Sequence, residues 1–249
     1  IGTVIGFPYA GGNAVNFQPM ASKLRSHGLA VYAVELPGHD LSAEGERFAP
    51  IHQIVNQVVT EITQRGLHQV MLWGHSSGAA FAVATARKLQ EQGVDVQRVF
   101  LGAQLLGEAA ERRADINELT RRSDAEIAAE LSADSGYTEL GELDEERAEP
   151  IGASFRHDFV SASSYLADIL DNPPEDKLKV PVTVVIAADD PITEAYPHQY
   201  GRWQLLAEQV DLFELADGGH YFLRTRPAQA VTAVLHNLES LTYSFATTD

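Results

Sequence analysis

The sequence of 249 residues predicts an α/β protein built on a mostly parallel sheet flanked by helices. Two observations carry this: short apolar runs alternate with longer helical ones, and a glycine-flanked serine sits where a strand meets a helix. Thr3–Phe7 reads as a buried strand, with Phe17, Met20 and Leu24 then recurring at helical spacing. Ala30–Val34 is a second strand, ended by the turn Leu36-Pro37-Gly38. Ile51, Ile54, Val55, Val58, Val59 and Ile62 form a helical stripe. Gln69–Trp73 is a strand running into Gly74, and a helix of small residues follows from Ser77 to about Gln92. Val96–Ala103 and Pro181–Ala187 are strands, Tyr196–Ala207 a helix, Val210–Leu215 a strand, and Pro227 to about Leu241 a closing helix.

Between Leu105 and Lys179 the alternation breaks, and only helical segments remain. Ser123 and Glu126 have the spacing of a capping box, and a second helix is expected over Ile151–Leu170, before Pro173-Pro174. Within a single domain spanning 1–249, residues 105–175 are therefore expected to form a helical lid inserted over the sheet. Its pivots are expected at Ser135-Gly136 and Gly141, and its wall over the site at Phe155, Phe159 and Tyr165, with an apolar lining.

The formal charge is −17, which argues against nucleic acid or an anionic membrane as partner, since both need a basic face. Residues 105–150 hold 14 Asp/Glu against five Arg. Two arginine pairs there, Arg112-Arg113 and Arg121-Arg122, are either a docking patch or a solvated helix face, and the second reading is the stronger. No apolar run is long enough to span a membrane, and no secretory signal is present. Cysteine is absent, which fits a cytoplasmic location and removes disulfides and thiolate metal sites. No metal or cofactor motif is found. The first residue is Ile1 rather than Met, compatible with a trimmed N-terminus or a domain of a longer polypeptide.

Gly74-His75-Ser76-Ser77-Gly78 matches G-x-S-x-G, between the strand Val70–Trp73 and the helix opening Ala79-Ala80-Phe81. That context is the nucleophile elbow of the α/β-hydrolase fold, where a strained turn presents the serine and glycines avoid clashes with strand and helix. A serine hydroxyl needs a base, and the base an orienting carboxylate, in the chain order Ser, acid, His. Among the downstream histidines His157, His198, His220 and His236, His220 is chosen because it lies in the loop Gly218-Gly219-His220 between the last strand and the last helix. Asp189 and Asp190 both follow a strand. Asp190 is favoured as the acid because Pro191 fixes the backbone behind it, leaving Asp189 to bond amides of its own loop. The oxyanion donors are expected to be the amides of Ser77 and Ala10, the latter in the loop Pro8-Tyr9-Ala10-Gly11-Gly12. His75 is read as a packing residue and Asp217 as a turn residue.

Taken together, these residues resemble the type II thioesterases that accompany nonribosomal peptide and polyketide synthases. Four blocks carry the likeness: Phe7-Pro8-Tyr9-Ala10-Gly11-Gly12, Glu35-Leu36-Pro37-Gly38, Gly74-His75-Ser76-Ser77-Gly78-Ala79 and Gly218-Gly219-His220-Tyr221-Phe222. Asp189-Asp190-Pro191 is similar to the family's acid loop, and Arg156-His157-Asp158-Phe159 to a segment near the end of its lid. The resemblance implies a partner, a phosphopantetheinylated acyl or peptidyl carrier protein, whose thioester Ser76 attacks with His220 as base. The usual duty it implies is editing of blocked carriers. The chain departs from the family at Ser77 (often Met), Tyr221 (often Phe) and His39-Asp40 (often Arg after Leu-Pro-Gly). These departures leave open a chain-releasing thioesterase domain of a synthetase. The triad alone leaves open a small-molecule carboxylesterase or peptidase of the same fold. A binding protein that has lost catalysis is disfavoured, because all three triad members are present.

Overall fold

The computed structural model describes residues 2–39, 46–133, 137 and 145–246. In chain order the elements are β1 (Thr3–Phe7), α1 (Gln18–Arg25), β2 (Ala30–Ala33), α2 (Ile51–Gln64), β3 (Val70–His75), α3 (Gly78–Glu91) and β4 (Val96–Gly102). Helices α4 (Ala109–Leu119), α5 (Asp124–Ala133) and α6 (Glu145–Asp171) follow, before β5 (Val182–Ala187) and α7 (Tyr196–Gln199). The chain closes with β6 (Val210–Leu215), α8 (Phe222–Thr225) and α9 (Pro227–Ala246).

The six strands form one sheet in the order β2-β1-β3-β4-β5-β6, parallel throughout. The inner strands read as unbroken apolar runs because both of their faces are covered. Successive side chains alternate between the two layers. Val70 and Leu72 of β3, with Val99 and Leu101 of β4, pack towards Ile54, Val58 and Ile62 of α2 and the small residues of α3. Met71, Trp73 and Phe100 face the opposite layer, with Met20 and Leu24 of α1 and Ala230 and Val234 of α9. Each large apolar side chain buried this way contributes roughly 1.5–3 kcal/mol.

Among the described residues, helices α4 to α6 occupy the stretch that lacked strand signals. The expected capping box is present: Glu126 N–H donates to Ser123 Oγ at 3.2 Å, and Ser123 N–H to Glu126 Oε2 at 2.7 Å. Gly152 lets α6 lie directly on the start of α5, since a Cβ there would stand 2.1 Å from the Asp124 carbonyl oxygen. Leu119, Ile127, Leu131 and Ile151 make a separate apolar cluster seated on Tyr9 and Tyr221. The expected pivots Ser135-Gly136 and Gly141 lie outside the described residues.

Several boundaries differ from expectation. Helix α6 starts at Glu145 rather than Ile151, with Pro150 inside it, although proline removes one helical hydrogen bond. The helix expected over Tyr196–Ala207 is a single turn followed by 3₁₀ helix over Tyr200–Leu205. Gly201 weakens a continuous helix there, and the tighter winding buries Trp203, whose indole N–H donates to Gln104 O at 3.3 Å. Strand β3 continues through His75, and α9 runs on to Ala246. No helix among the described residues is long and apolar enough to cross a membrane.

Candidate active site

Ser76 stands at the carboxyl end of β3 with φ +51°, a left-handed conformation that costs an L-residue roughly 1–2 kcal/mol. Its N–H donates to Gly102 O of the neighbouring strand at 2.7 Å, and its carbonyl accepts from Ala79 N–H at 2.9 Å. The flanking glycines are sterically required. A Cβ on Gly74 would lie 2.3 Å from Gly78 O, and one on Gly78 would lie 2.3 Å from Phe7 O. Strand β1, the elbow and α3 therefore approach so closely that only hydrogen fits between them.

His220, in the loop between β6 and α8, places Nε2 2.9 Å from Ser76 Oγ and Nδ1 3.0 Å from Asp190 Oδ2. Chain separations of 144 and 30 residues close into one relay. Asp190 is 1% exposed, and its carboxylate also accepts from Ile192 N–H at 2.9 Å and Thr193 Oγ1 at 2.9 Å. Burial pushes its pKa up, but the His220 hydrogen bond and charge, with the Ile192 and Thr193 donors, outweigh that and hold it below the usual carboxylate range. An ionised Asp190 favours the tautomer with the proton on Nδ1, which turns the Nε2 lone pair towards Ser76 Oγ.

Asp189 has a related task. Its two carboxylate oxygens accept from Gly219 N–H at 2.8 Å and Gly218 N–H at 3.2 Å. The amides it bonds belong to the histidine loop rather than to its own, which corrects the expectation. Adjacent aspartates thus divide the work: Asp190 orients the imidazole and Asp189 shapes the turn that carries it. Asp217 pairs with Arg226 at 2.6 Å at the base of the same turn.

His75 is fully buried beneath this loop, and its Nε2–H donates to His220 O at 2.6 Å. Burial, then the neighbouring His220, pushes its pKa down to about 3, so the ring is a neutral prop. Phe222 packs edge-on against it, with ring centres 4.7 Å apart.

Ala10 and Ser77, the expected oxyanion donors, are both buried and line the same cleft as Ser76. The loop carrying Ala10 is a tight turn: Gly12 N–H donates to Tyr9 O at 2.9 Å, and Gly11 takes φ +69°. Tyr9 braces the turn by edge contacts with Tyr221 at 4.8 Å and His75 at 5.8 Å, and its hydroxyl accepts from Asn16 Nδ2 at 2.7 Å.

The cleft above Ser76 has a volume of about 400 Å³. Phe155, Phe159, Ala162 and Leu166 of α6 give it one apolar side, while α4 contributes Glu111, Arg112 and Asp115, and Glu108 and Glu194 also line it. The wall that α6 presents is thus apolar as expected, while the cleft as a whole is mixed, because α4 carries charge around most of its circumference. Tyr165 does not line the cleft. It packs into the core, where burial pushes its hydroxyl up to about 12. Three of the four arginines in the two lid pairs are engaged within the chain. Arg112 donates to the Leu105 and Leu106 carbonyls, Arg113 to Asp168 and Asp171, and Arg122 pairs with Glu130. Burial draws the Arg112 guanidinium down to about 10.

Sequence reading missed Thr193, the inward turn of Arg112 and the partners of Asp158. Asp158 accepts from Gly11 N–H at 2.9 Å and lies 2.7 Å from His39 Nε2. A buried aspartate in an otherwise amphipathic helix was the available signal.

Comparison with known proteins agrees with this fold. The chain is 25% identical over 218 residues to the probable cadicidin biosynthesis thioesterase of Streptomyces griseus, covering 87% of this chain and 57% of that protein's length. It is 25% identical over 220 residues to thioesterase PikA5 of Streptomyces venezuelae, covering 87% of this chain and 73% of that one. The structure of the type II thioesterase BorB from the borrelidin biosynthetic cluster superimposes with a TM-score of 0.76 at 26% identity, over 95% of this chain and 92% of that one. A family model described as the thioesterase domain matches residues 3–242, and with these elements in α/β-hydrolase order the chain belongs to the thioesterase domain family.

Proposed function

We propose that the protein is a serine thioesterase that removes acyl or peptidyl groups from the phosphopantetheine arm of carrier proteins in nonribosomal peptide or polyketide biosynthesis, as an editing enzyme. The observation that carries this reading is the Ser76–His220–Asp190 relay, with heavy-atom distances of 2.9 and 3.0 Å, at the floor of the cleft. Membership of the thioesterase domain family and the likeness to biosynthetic thioesterases support the acyl donor. The reading assigns no cofactor, and it places the enzyme in the cytoplasm with its carriers.

His220 Nε2 takes the Ser76 proton as Oγ attacks the thioester carbonyl carbon. The tetrahedral oxyanion is stabilised by the amides of Ala10 and Ser77, donors held before the charge develops. Collapse breaks the carbon–sulfur bond, and the imidazolium returns its proton to the departing thiolate. A water, deprotonated by the same nitrogen, then attacks the acyl-enzyme and releases a carboxylic acid and free Ser76. Helices α4 to α6 act as a lid over the cleft, and α6 supplies the apolar surface against which an acyl chain lies.

The test is a panel of acylated carrier proteins offered beside simple oxoesters, with products identified by mass. Free acids released from several acyl carriers at rates well above the oxoesters are expected. Release of a single cyclised or full-length product would point to a chain-terminating domain, and preference for oxoesters would point to an esterase.

A further inference from the structure

One buried carboxylate has no part in the relay. Asp158 of α6 is 1% exposed, and its Oδ2 accepts from Gly11 N–H, 147 residues distant in the chain. The same oxygen lies 2.7 Å from His39 Nε2, and Oδ1 lies 3.2 Å from His157 Nδ1. The side chains of His39 and Asp158 are each 2% exposed. A carboxylate taken this far from water persists only when its lone pairs are met by strong donors.

The His39 ring defines its own charge state. Nε2 faces the Asp158 oxygen, and Nδ1 faces the Pro37 carbonyl oxygen at 3.3 Å. A neutral imidazole carries a single N–H, so only the imidazolium donates to both. Burial pushes the ring down, but the Asp158 hydrogen bond and charge, with the Pro37 and Leu36 carbonyls, more than offset it, so His39 titrates above its ordinary 6.5. Among the described residues, the other groups around the pair are few. His157 shares the carboxylate, Glu46 accepts from Gly38 N–H at 2.9 Å, the Phe48 ring packs edge-on to His39, and the Tyr137 hydroxyl lies against Gly11.

Gly11 is the third residue of the Tyr9–Gly12 turn, at positive φ. The N–H that Asp158 grips belongs to the central peptide of the turn, joining Ala10 to Gly11, directly after the Tyr9–Ala10 peptide that carries the Ala10 N–H. Ala10 lies beside Ser76 in the cleft. We infer that Asp158 is a positioning residue: held between the Gly11 amide and the His39 imidazolium, it fixes the oxyanion turn while α6 is docked. Lid position and the charge of His39 then both set how well the tetrahedral oxyanion is stabilised. The inference rests on the serine reading of the site given above.

The experiment measures the rate at which a small fluorophosphonate labels Ser76 in the full chain, across neutral and alkaline pH. Labelling forms an Oγ–P bond, expels fluoride, passes the serine proton to His220, and places a phosphoryl oxygen in the oxyanion hole. As His39 loses its proton the clamp weakens, so the wild-type rate should fall about tenfold, part of the ~10²–10³ that a lost oxyanion donor costs. His39→Arg keeps the charge and should remove this alkaline step. Asp158→Asn, with thermal unfolding run to verify the fold, should stay about tenfold low at every pH. His157→Gln should keep the step. Wild-type rates and profile in a folded Asp158→Asn, or an alkaline step surviving in His39→Arg, would overturn the inference. Should the Asn variant fail to fold, the comparison of wild type with His39→Arg decides alone. Absence of any labelling of wild-type Ser76 would instead sink the serine mechanism itself.

Discussion

Gly78→Ala tests whether the oxyanion turn is placed by packing against the elbow. A Cβ at residue 78 would lie 2.3 Å from Phe7 O, 2.6 Å from Pro8 O and 2.8 Å from Phe7 C. Side-chain carbons do not come nearer to such atoms than 3.0 Å, so one side must retreat by at least about 0.7 Å. The obstacle is backbone, and it is the segment that leads from β1 into the Tyr9–Gly12 turn. Overpacking of this kind costs about 1–3 kcal/mol, and at this chain length each kcal/mol lowers Tm by roughly 2–4 °C. Displacements near 1 Å at a reacting centre cost about 10²-fold, so kcat should fall by about 10- to 100-fold at a temperature where the fold persists. Gly93→Ala is the matched control. Gly93 has φ +69° and nothing within 4 Å of an added Cβ. It should lose about 1 kcal/mol to left-handed strain and keep full turnover. The assay is steady-state thioester hydrolysis beside thermal unfolding of both variants. A Gly78→Ala enzyme that loses stability but keeps kcat within about twofold would refute the placement argument, and Ala10 as donor with it.

Three other outcomes follow from the same geometry. Asp190→Asn should lower kcat by about 10⁴-fold, since the amide favours the wrong imidazole tautomer, whereas Asp189→Asn should cost only about tenfold; reversed results would move the acid to Asp189. Ser76→Gly and Ser76→Ala should both abolish turnover, but the glycine variant should be the more stable by about 1 kcal/mol, because φ +51° strains only the alanine; equal melting points would remove the case for a strained elbow. His75 is held neutral to about pH 3, while the unfolded chain protonates it near its ordinary value of 6.5. The unfolded state therefore binds the extra proton in that window, and stability should fall as pH drops through it. His75→Gln should flatten that part of the stability curve in chemical denaturation at stepped pH, and an unchanged slope would count against a buried neutral ring.

Much of the fold was legible because it rests on short-range regularities. Strands β1, β3 and β5 are buried on both faces, so they appear as unbroken apolar runs whatever they pair with. The elbow was legible because backbone crowding excludes any side chain at residues 74 and 78, and that steric demand is written as glycine. His220 and Asp190 followed from where loops fall at the carboxyl ends of strands, which chain order alone predicts.

Other features depended on which distant groups come together in the folded chain. Asp189 differs from Asp190 only in which way its carboxylate points, and that direction is set by the Gly218-Gly219 turn folding over it. The paired lid arginines look alike in sequence, yet Arg112 turns inward to the Leu105 and Leu106 carbonyls while Arg113 ties α4 to α6. Asp158 and Gly11 are 147 residues apart, and neither carries a local mark of the other. Periodicity reports which face of an element is buried, because burial is a property of one helix or strand in a medium. It does not report which buried polar atom meets which, since a hydrogen bond exists only within a few tenths of an ångström of its ideal length and only the assembled packing sets that distance.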